Sequence, residues 1–272
     1  MSEQYLNWNG LRIFVTDQGE GEPLLLINGL GGNSGMLQPL TKHIDNRRLI
    51  TFDAPGSGRS STPPGPIAIA ALAELATAVL DLCGVEAADV LGYSYGGAIA
   101  QQTAFEHGSR VNRLVLAATN CGVGAVPGSF RAMQVLSTPF RYYSPTYFNR
   151  IARMTYGGRT GRNQAVRKQM LAVRRPAPPT SYGYAMQILG GATWSSLQFL
   201  DQIKQQTLVI TGDDDPLIPV ANARLLARRI PNAALDIVEG AGHLFLWDDA
   251  EKLSRRIFGF FDQRPAASPS AA

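Results

Sequence analysis

The chain has few of the residues that build disulfides and metal sites. Its 272 residues include two cysteines, Cys83 and Cys121, and three histidines, His43, His107 and His243. Two cysteines do not supply a disulfide framework, a thiolate zinc site or an iron–sulfur cluster, and three histidines do not favour a multi-histidine metal centre. No metal or organic cofactor is therefore implied.

The sequence also lacks a long hydrophobic run. No stretch approaches the roughly 18 consecutive apolar residues that span a bilayer, so no transmembrane segment is expected. The N-terminal residues 1–4 are not a basic segment followed by an apolar run, so no secretory signal is visible. Hydrophobic residues at 45% and charged residues at 17% are typical of a globular protein. We expect a cytoplasmic location, while the oligomeric state stays open.

Acidic residues are missing from a long central segment. No Asp or Glu occurs from residue 107 through residue 200. Residues 122–200 carry ten basic residues, whereas the rest of the chain carries 15 basic and 21 acidic ones. A basic segment is thus inserted into an acidic body, which makes it a candidate second module. Its basic residues are Arg131, Arg141, Arg150, Arg153, Arg159, Arg162, Arg167, Lys168, Arg174 and Arg175.

Outside this segment, short aliphatic runs alternate with helical patterns. Apolar residues spaced by three and four predict helices over 69–82, 97–107 and 222–229. Such alternation implies a mostly parallel sheet covered on both faces, in which ligands bind beyond the carboxyl ends of the strands. The predicted strands are 11–15, 24–27, 49–52, 89–93, 114–117, 207–211 and 235–238.

The position of the basic segment suggests a division of the chain. It follows the predicted strand 114–117 and precedes the predicted strand 207–211, so its natural place is over the strand ends. We predict a core of residues 1–121 and 202–263, with residues 122–201 as a mainly helical cap or lid. Residues 264–272, mostly Pro, Ala and Ser, are predicted to be a disordered tail.

The most informative motif is Gly92-Tyr93-Ser94-Tyr95-Gly96, which directly follows a predicted strand and precedes a predicted helix. This is the context that the G-x-S-x-G nucleophile elbow requires. The turn strains the backbone at Ser94, so small residues must flank it, and it raises the serine oxygen above the sheet. The alternative is a glycine-rich strand–helix turn with a solvated serine.

A serine nucleophile needs a base, and histidine is the usual one. His243 lies in a loop after the last predicted strand, at the same sheet edge as Ser94. His107 ends a helix, where it favours the helix dipole, and His43 has no partner in view. His243 is therefore the predicted base, and the alternative is an ordinary loop histidine.

The orienting acid is expected in the loop after strand 207–211, which contains Asp213, Asp214 and Asp215. Three adjacent carboxylates cannot all be buried and ionised cheaply, so one points inward and the others are solvated or cap the chain. The competing loop after strand 114–117 has no acid before Asp201. The order Ser, Asp, His is one of the known triad orders.

Two glycine-rich loops remain. The run Asn28-Gly29-Leu30-Gly31-Gly32 follows strand 24–27 and permits close backbone approach, so we assign the Leu30 and Tyr95 amides to an oxyanion hole. Phosphate binding is the alternative, but the run lacks the Lys-Ser/Thr of a P-loop and the G-x-G-x-x-G pattern. The loop that begins at Asp53 is predicted to be structural, with its carboxylate bonding local amides.

Together these residues resemble the α/β-hydrolase superfamily over the whole chain except the tail. The more specific similarity is to intracellular medium-chain-length polyhydroxyalkanoate depolymerases, which also have Asn-Gly where many α/β-hydrolases have His-Gly. This similarity lies in residues 28–31, 52–63, 114–119, 156–158, 212–219, 224–227, 230–233 and 242–246. The resemblance implies an eight-stranded, mostly parallel sheet with helices on both faces. It also implies Ser94 as nucleophile, His243 as base and Asp215 as orienting acid.

The resulting functional hypothesis is a serine hydrolase that cleaves carboxylic esters through an acyl-enzyme. The resemblance points to aliphatic polyesters or oligomers of 3-hydroxyalkanoic acids. The alternatives are a small-molecule carboxylesterase or lactonase, and a ligand receptor that uses a hydrolase pocket. A haloalkane dehalogenase or epoxide hydrolase is disfavoured, since both need Asp in place of Ser94.

The basic segment adds a hypothesis about partners. We predict that its arginines, interleaved with aromatic residues, form a surface that docks on polymer granules or another anionic or insoluble interface. The alternative is a solvated cap whose arginines pair with acids of the body. No nucleic-acid partner is expected, because no recognition module accompanies the charge. The aromatic residues are Tyr142, Tyr143, Tyr147, Phe148 and Tyr156.

Overall fold

The computed structural model describes residues 2–44 and 46–263. The predicted tail, 264–272, lies outside the described residues. Within them, eight strands form one sheet in the order β1-β2-β4-β3-β5-β6-β7-β8. The strands are β1 (Ser2–Trp8), β2 (Leu11–Gln18), β3 (Glu22–Ile27), β4 (Arg47–Phe52), β5 (Ala88–Tyr93), β6 (Val111–Ala117), β7 (Gln206–Gly212) and β8 (Ala233–Val238).

The predicted mostly parallel sheet is confirmed. Strands β3 to β8 pair in parallel, while β2 runs antiparallel to both β1 and β4. The seven strands named from the sequence correspond to β2–β8, and β1 was missed. Asn9 and Gly10 join β1 to β2 with φ angles of 46° and 76°. An Asn-Gly pair is the usual signal of such a two-residue hairpin turn, so the sequence did contain the evidence for β1.

Helices cover both faces of this sheet, as predicted. The helices of the core are α1 (Gln38–Thr41), α2 (Ile69–Leu82), α3 (Tyr95–Glu106), α10 (Val220–Arg229) and α11 (Ala250–Phe261). Apolar residues of α2, α3 and α10 pack in one buried cluster, and those of α1 and α11 pack in the other. Strand β5 between these layers is buried along its whole length, as expected for a central parallel strand.

The segment 118–205, all of it described, contains six helices. They are α4 (Phe130–Leu136), α5 (Phe140–Tyr143), α6 (Pro145–Tyr156), α7 (Gly158–Arg162), α8 (Gln164–Arg174) and α9 (Ser181–Gly191). These helices contact loops at the carboxyl edge of the sheet. The Gln187 amide on α9 donates to the Pro55 carbonyl after β4 at 2.9 Å, and the Gly158 amide donates to Asp214 after β7 at 2.9 Å.

Within residues 2–44 and 46–263, none of the helices combines the length and the apolar character that crossing a bilayer requires.

Candidate active site

Ser94 lies in a sharp turn between β5 and α3. Its φ of 54° and ψ of −118° are unusual for a residue with a side chain, so the turn holds local strain. The Ser94 amide donates to the Ala117 carbonyl at 2.8 Å, and the Thr119 hydroxyl donates to the Ser94 carbonyl at 2.7 Å. These two bonds to β6 and its following loop fix the turn from outside.

The glycines around Ser94 are required by close packing. A Cβ on Gly96 would overlap the Ile27 carbonyl oxygen, and one on Gly97 would overlap the Thr119 hydroxyl. A Cβ on Gly92 would lie 2.6 Å from the Ala100 side chain, where no ordinary contact fits. The turn therefore has the tight geometry that the G-x-S-x-G motif predicts.

His243 reaches Ser94 from the loop after β8. Its Nε2 lies 3.0 Å from the Ser94 Oγ, and its residue is buried. Neighbouring tyrosines hold the backbone: the His243 amide donates to the Tyr156 carbonyl, and the Tyr93 hydroxyl donates to the His243 carbonyl, both at 2.7 Å. Burial raises the pKa of Tyr93 well above its ordinary value, so this phenol stays a neutral donor.

Asp215 completes the hydrogen-bonded chain. Its Oδ2 lies 2.7 Å from the His243 Nδ1, while its Oδ1 accepts from the Leu217 and Ile218 amides at 2.8 and 3.0 Å. Asp213 and Asp214 are exposed and bond elsewhere, to the Gly240 amide and to Arg162 among others. Of the three adjacent carboxylates, Asp215 alone faces the histidine.

The two amides assigned to an oxyanion hole lie at the wall of the same cavity. Leu30 and Tyr95 both line it, and neither amide donates to another described residue. The next amide, that of Gly31, is taken by the Gln187 Oε1 at 2.9 Å. Tyr95 begins α3, where the first amides of a helix have no acceptor within the helix. Both groups are therefore available to a developing negative charge.

The cavity over Ser94 has a volume of about 230 Å³. Its wall is mainly apolar, with Met36, Leu136, Trp194 and Ile218 among its residues. Tyr95, which directly follows the serine, also forms part of this wall, and its buried hydroxyl has no described partner. Burial raises the pKa of this phenol, so it stays neutral. An apolar cavity with few polar groups suits an acyl chain.

Sequence reasoning missed two residues of this cavity. Arg141 and Arg174 line the wall and are each only 3% exposed, although all ten basic residues of the segment were predicted to form a surface. That prediction is wrong for these two arginines. It is also wrong for Tyr142, Phe148 and Tyr156, which are buried. Burial in a helical segment depends on tertiary contacts, which charge patterning along the chain does not contain.

The alternative bases lie elsewhere. His43 is exposed just beyond α1, and His107 ends α3, and neither lines the cavity. Asp53 has the structural environment that was predicted. Its carboxylate accepts from the Ser34 amide at 2.5 Å and from the Arg59 amide at 2.8 Å. Burial raises the pKa of Asp53 even though these bonds oppose the shift.

The sheet topology, the strained serine turn and the Ser–His–Asp chain define the class of protein. The chain belongs to the α/β-hydrolase family, whose model, described as the alpha/beta hydrolase fold, matches residues 22–250.

Individual relatives make the similarity more specific. The chain is 42% identical to a poly(3-hydroxyalkanoate) depolymerase of Ectopseudomonas oleovorans, over 89% of this chain and 84% of that protein. It is 31% identical to a 2-hydroxymuconate semialdehyde hydrolase of Pseudomonas putida, over 94% of this chain and 93% of that protein. Among solved structures, the enol-lactonase of Burkholderia xenovorans has the same fold, with a TM-score of 0.82 at 22% identity over 96% of this chain and all of that one.

Proposed function

We propose that the protein is a serine hydrolase that cleaves carboxylic esters through an acyl-enzyme. The observation that carries the proposal is the hydrogen-bonded chain from Ser94 through His243 to Asp215, at the wall of an apolar cavity. Serine, base and orienting acid at these distances are the parts that nucleophilic acyl transfer needs.

The residues have the following roles in this proposal. His243 takes the hydroxyl proton through Nε2 as the Ser94 Oγ attacks the ester carbonyl, and Asp215 keeps the other ring nitrogen protonated. The Leu30 and Tyr95 amides stabilise the oxyanion of the tetrahedral intermediate. The alcohol leaves with the proton from His243, and water then releases the acid from Ser94 by the same steps.

The proposed substrates are aliphatic polyesters or oligomers of 3-hydroxyalkanoic acids. The 42% identity to a poly(3-hydroxyalkanoate) depolymerase supports this class, and so does the apolar cavity wall. We also propose residues 122–201 as a cap that limits access to Ser94, with residues 1–121 and 202–263 as the core. A small-molecule carboxylesterase or lactonase is the second candidate, because the cavity of about 230 Å³ is small enough for a single short ester.

A first experiment tests catalysis itself. Ser94→Ala is expected to lower kcat by about 10⁶-fold, because a nucleophile acts as a unit with its base. The melting temperature should not fall, since the only described side-chain partner of the Ser94 hydroxyl is His243. Turnover is measured on p-nitrophenyl esters from acetate to decanoate, alongside clearing of poly(3-hydroxyoctanoate) emulsions.

A matched pair of histidine variants provides the control. His243→Ala should lose activity as Ser94→Ala does, whereas His43→Ala, at an exposed residue away from the cavity, should keep it. Residual activity of Ser94→Ala above about one tenth of wild type would contradict the assignment. Clearing of polymer favours the polyester substrate, turnover of short esters alone favours the small-molecule esterase, and a single turnover would indicate a receptor.

A further inference from the structure

Two arginines in the wall of the active-site cavity are buried without a carboxylate partner. Arg141 on α5 and Arg174 on α8 are each 3% exposed and share this cavity with Ser94 and His243. No Asp or Glu side chain among the described residues pairs with either of them. The cavity therefore has positive charge on one wall and a nucleophilic serine on another.

Their hydrogen bonds leave most donors of the two guanidinium groups unused. Arg141 donates through Nη1 to the Thr138 carbonyl at 3.0 Å and to the Tyr184 hydroxyl at 2.7 Å. The only described partner of Arg174 is the Met170 sulfur, at 3.9 Å. The Nε of each arginine is buried and has no described partner. A guanidinium group has five N–H donors, so both groups retain capacity for an acceptor.

A tyrosine links the arginine pair to the loop of the proposed oxyanion hole. The Cζ of Arg174 lies 4.0 Å from the centre of the Tyr142 ring, and the Cζ of Arg141 lies 4.8 Å from it. The Tyr142 hydroxyl donates to the Leu30 carbonyl at 2.6 Å. Both charges therefore lie one side chain away from the residue whose amide is proposed to bind the oxyanion.

A third buried arginine shows what a structural arginine looks like in this molecule. Arg47 is 5% exposed and pairs with Asp89 and Asp262, each at 2.6 Å. Burying a charge is costly unless it is paired, and aromatic rings compensate only part of that cost. Arg141 and Arg174 lack what Arg47 has, so an anion bound from solution would supply the missing partner.

We propose that Arg141 and Arg174 form a carboxylate-binding subsite of the active-site cavity. Its ligand is the free carboxylate of an ester substrate, such as the acid end of a 3-hydroxyalkanoate chain or oligomer. A planar guanidinium fork matches a carboxylate with two parallel hydrogen bonds, which makes arginine suited to this ligand. This inference rests on the proposed ester hydrolysis at Ser94 and adds the substrate class to it.

The subsite has a consequence for how a chain is cut. Water is added across the acyl C–O bond next to the bound acid end. The terminal 3-hydroxy acid leaves with the alcohol oxygen and a proton from His243, and the remaining chain passes through Ser94 to water. That chain then ends in a new carboxylate, which the same two arginines can bind for the next cleavage. Hydrolysis would therefore proceed stepwise from the acid end.

The first test compares two substrates on the wild-type enzyme and needs no variant. We expect kcat/KM for the acid-terminated dimer and trimer of 3-hydroxyoctanoic acid to exceed that for their methyl esters by about 10- to 100-fold, the range typical of hydrogen bonds to a charged group. Equal rates on the acid and the methyl ester would overturn the subsite. Turnover of p-nitrophenyl esters in the same assay would show that the hydrolase proposal survives that result.

Variants of the arginines then identify the residues responsible. Arg174→Met and Arg141→Met should each bring the acid-to-methyl-ester ratio of kcat/KM toward one, and Arg174→Lys should give an intermediate ratio because it keeps the charge without the fork. Arg175→Met is the matched control, since Arg175 is the exposed neighbour of Arg174 and has no described side-chain partner. A ratio that falls equally in Arg175→Met would contradict the assignment.

A binding measurement separates the subsite from catalysis. Calorimetric titration of Ser94→Ala with 3-hydroxyoctanoate should show binding that is at least about tenfold tighter than that of its methyl ester. The additional change Arg174→Met should remove this difference. If no ester is turned over but the acid still binds in this arginine-dependent way, the proposed function fails and the subsite stands. If neither the difference nor its loss is seen, the subsite is refuted.

Discussion

Asp215 uses both carboxylate oxygens, and this settles what an amide at the same position would do. Its Oδ1 accepts from the Leu217 and Ile218 amides, and its Oδ2 faces the His243 Nδ1. An asparagine must keep its oxygen on the two backbone donors, which turns its NH2 group toward the histidine. The ring would then carry its proton on Nε2, facing Ser94, and could not accept the serine proton.

We therefore expect Asp215→Asn to lower kcat by about 10⁴-fold, through the wrong imidazole tautomer. The matched controls are Asp213→Asn and Asp214→Asn, because both neighbours are exposed and neither contacts His243. Steady-state hydrolysis of a p-nitrophenyl ester measures all three variants. A larger loss in Asp213→Asn or Asp214→Asn would show that a different carboxylate of this loop orients the base.

At the scale of one element, the turn from β5 into α3 depends on the absence of side chains. Gly96 packs against the backbone at the end of β3, where an added Cβ would overlap the Ile27 carbonyl oxygen and lie 2.6 Å from that of Asn28. Backbone atoms cannot move aside as the end of a flexible side chain can. The turn must therefore shift, and the Tyr95 amide shifts with it.

Gly96→Ala is expected to lower the free energy of unfolding by about 1–3 kcal/mol, the usual cost of overpacking, and to reduce kcat as well. Urea unfolding measures the first quantity. Gly259→Ala is the control, because Gly259 lies exposed within α11 and an added Cβ there meets nothing within 4 Å. That variant should gain about 0.5–1 kcal/mol from helix propensity. A neutral Gly96→Ala would show that the turn tolerates a side chain.

At the scale of the whole molecule, the helical segment over the active site is both basic and apolar on its outside. Phe130 is 76% exposed and Phe140 is 55% exposed, and most other exposed large apolar residues of the described chain lie in the same segment. Of its ten basic residues, only Arg162 pairs with a described carboxylate, that of Asp214. The predicted docking surface therefore has different aromatic members from those named in the sequence, but the exposed charge remains.

If this surface docks on polymer granules, adsorption should weaken with added salt, because charges are screened beyond about 8–10 Å at physiological ionic strength. Apolar contact through Phe130 and Phe140 should leave a salt-resistant remainder. The variant with Arg131, Arg150 and Arg153 changed to Glu tests the charge. These residues are exposed and have no described side-chain partners, unlike Arg162.

In that variant, the ratio of turnover on granules to turnover on a soluble short-chain ester should fall severalfold. Co-sedimentation with poly(3-hydroxyoctanoate) granules at low and high salt measures adsorption directly. The control is Glu251→Lys on α11, which changes an exposed charge of the core. An unchanged ratio in the triple Glu variant would leave the segment as a lid over the cavity without a docking role.

The sequence by itself determined the parts of the site that follow from local chain geometry. A G-x-S-x-G between a strand and a helix, and a histidine in the loop after the last strand, are adjacent in sequence to elements whose ends meet at one sheet edge. Ser94 and His243 could therefore be predicted to meet, although 149 residues separate them. The antiparallel β1 could also have been predicted, because the Asn9-Gly10 pair was present.

The tertiary structure alone decided which side chains of the helical segment face inward. Arg141 and Arg153 look alike in the sequence, yet the first is buried against Tyr184 and the second is exposed. The difference arises because burial there depends on contacts between helices and loops that are distant along the chain. A parallel sheet fixes where its strand ends converge, but a set of short helices has no such repeating rule. The triad could therefore be derived from sequence, and the two arginines of its cavity could not.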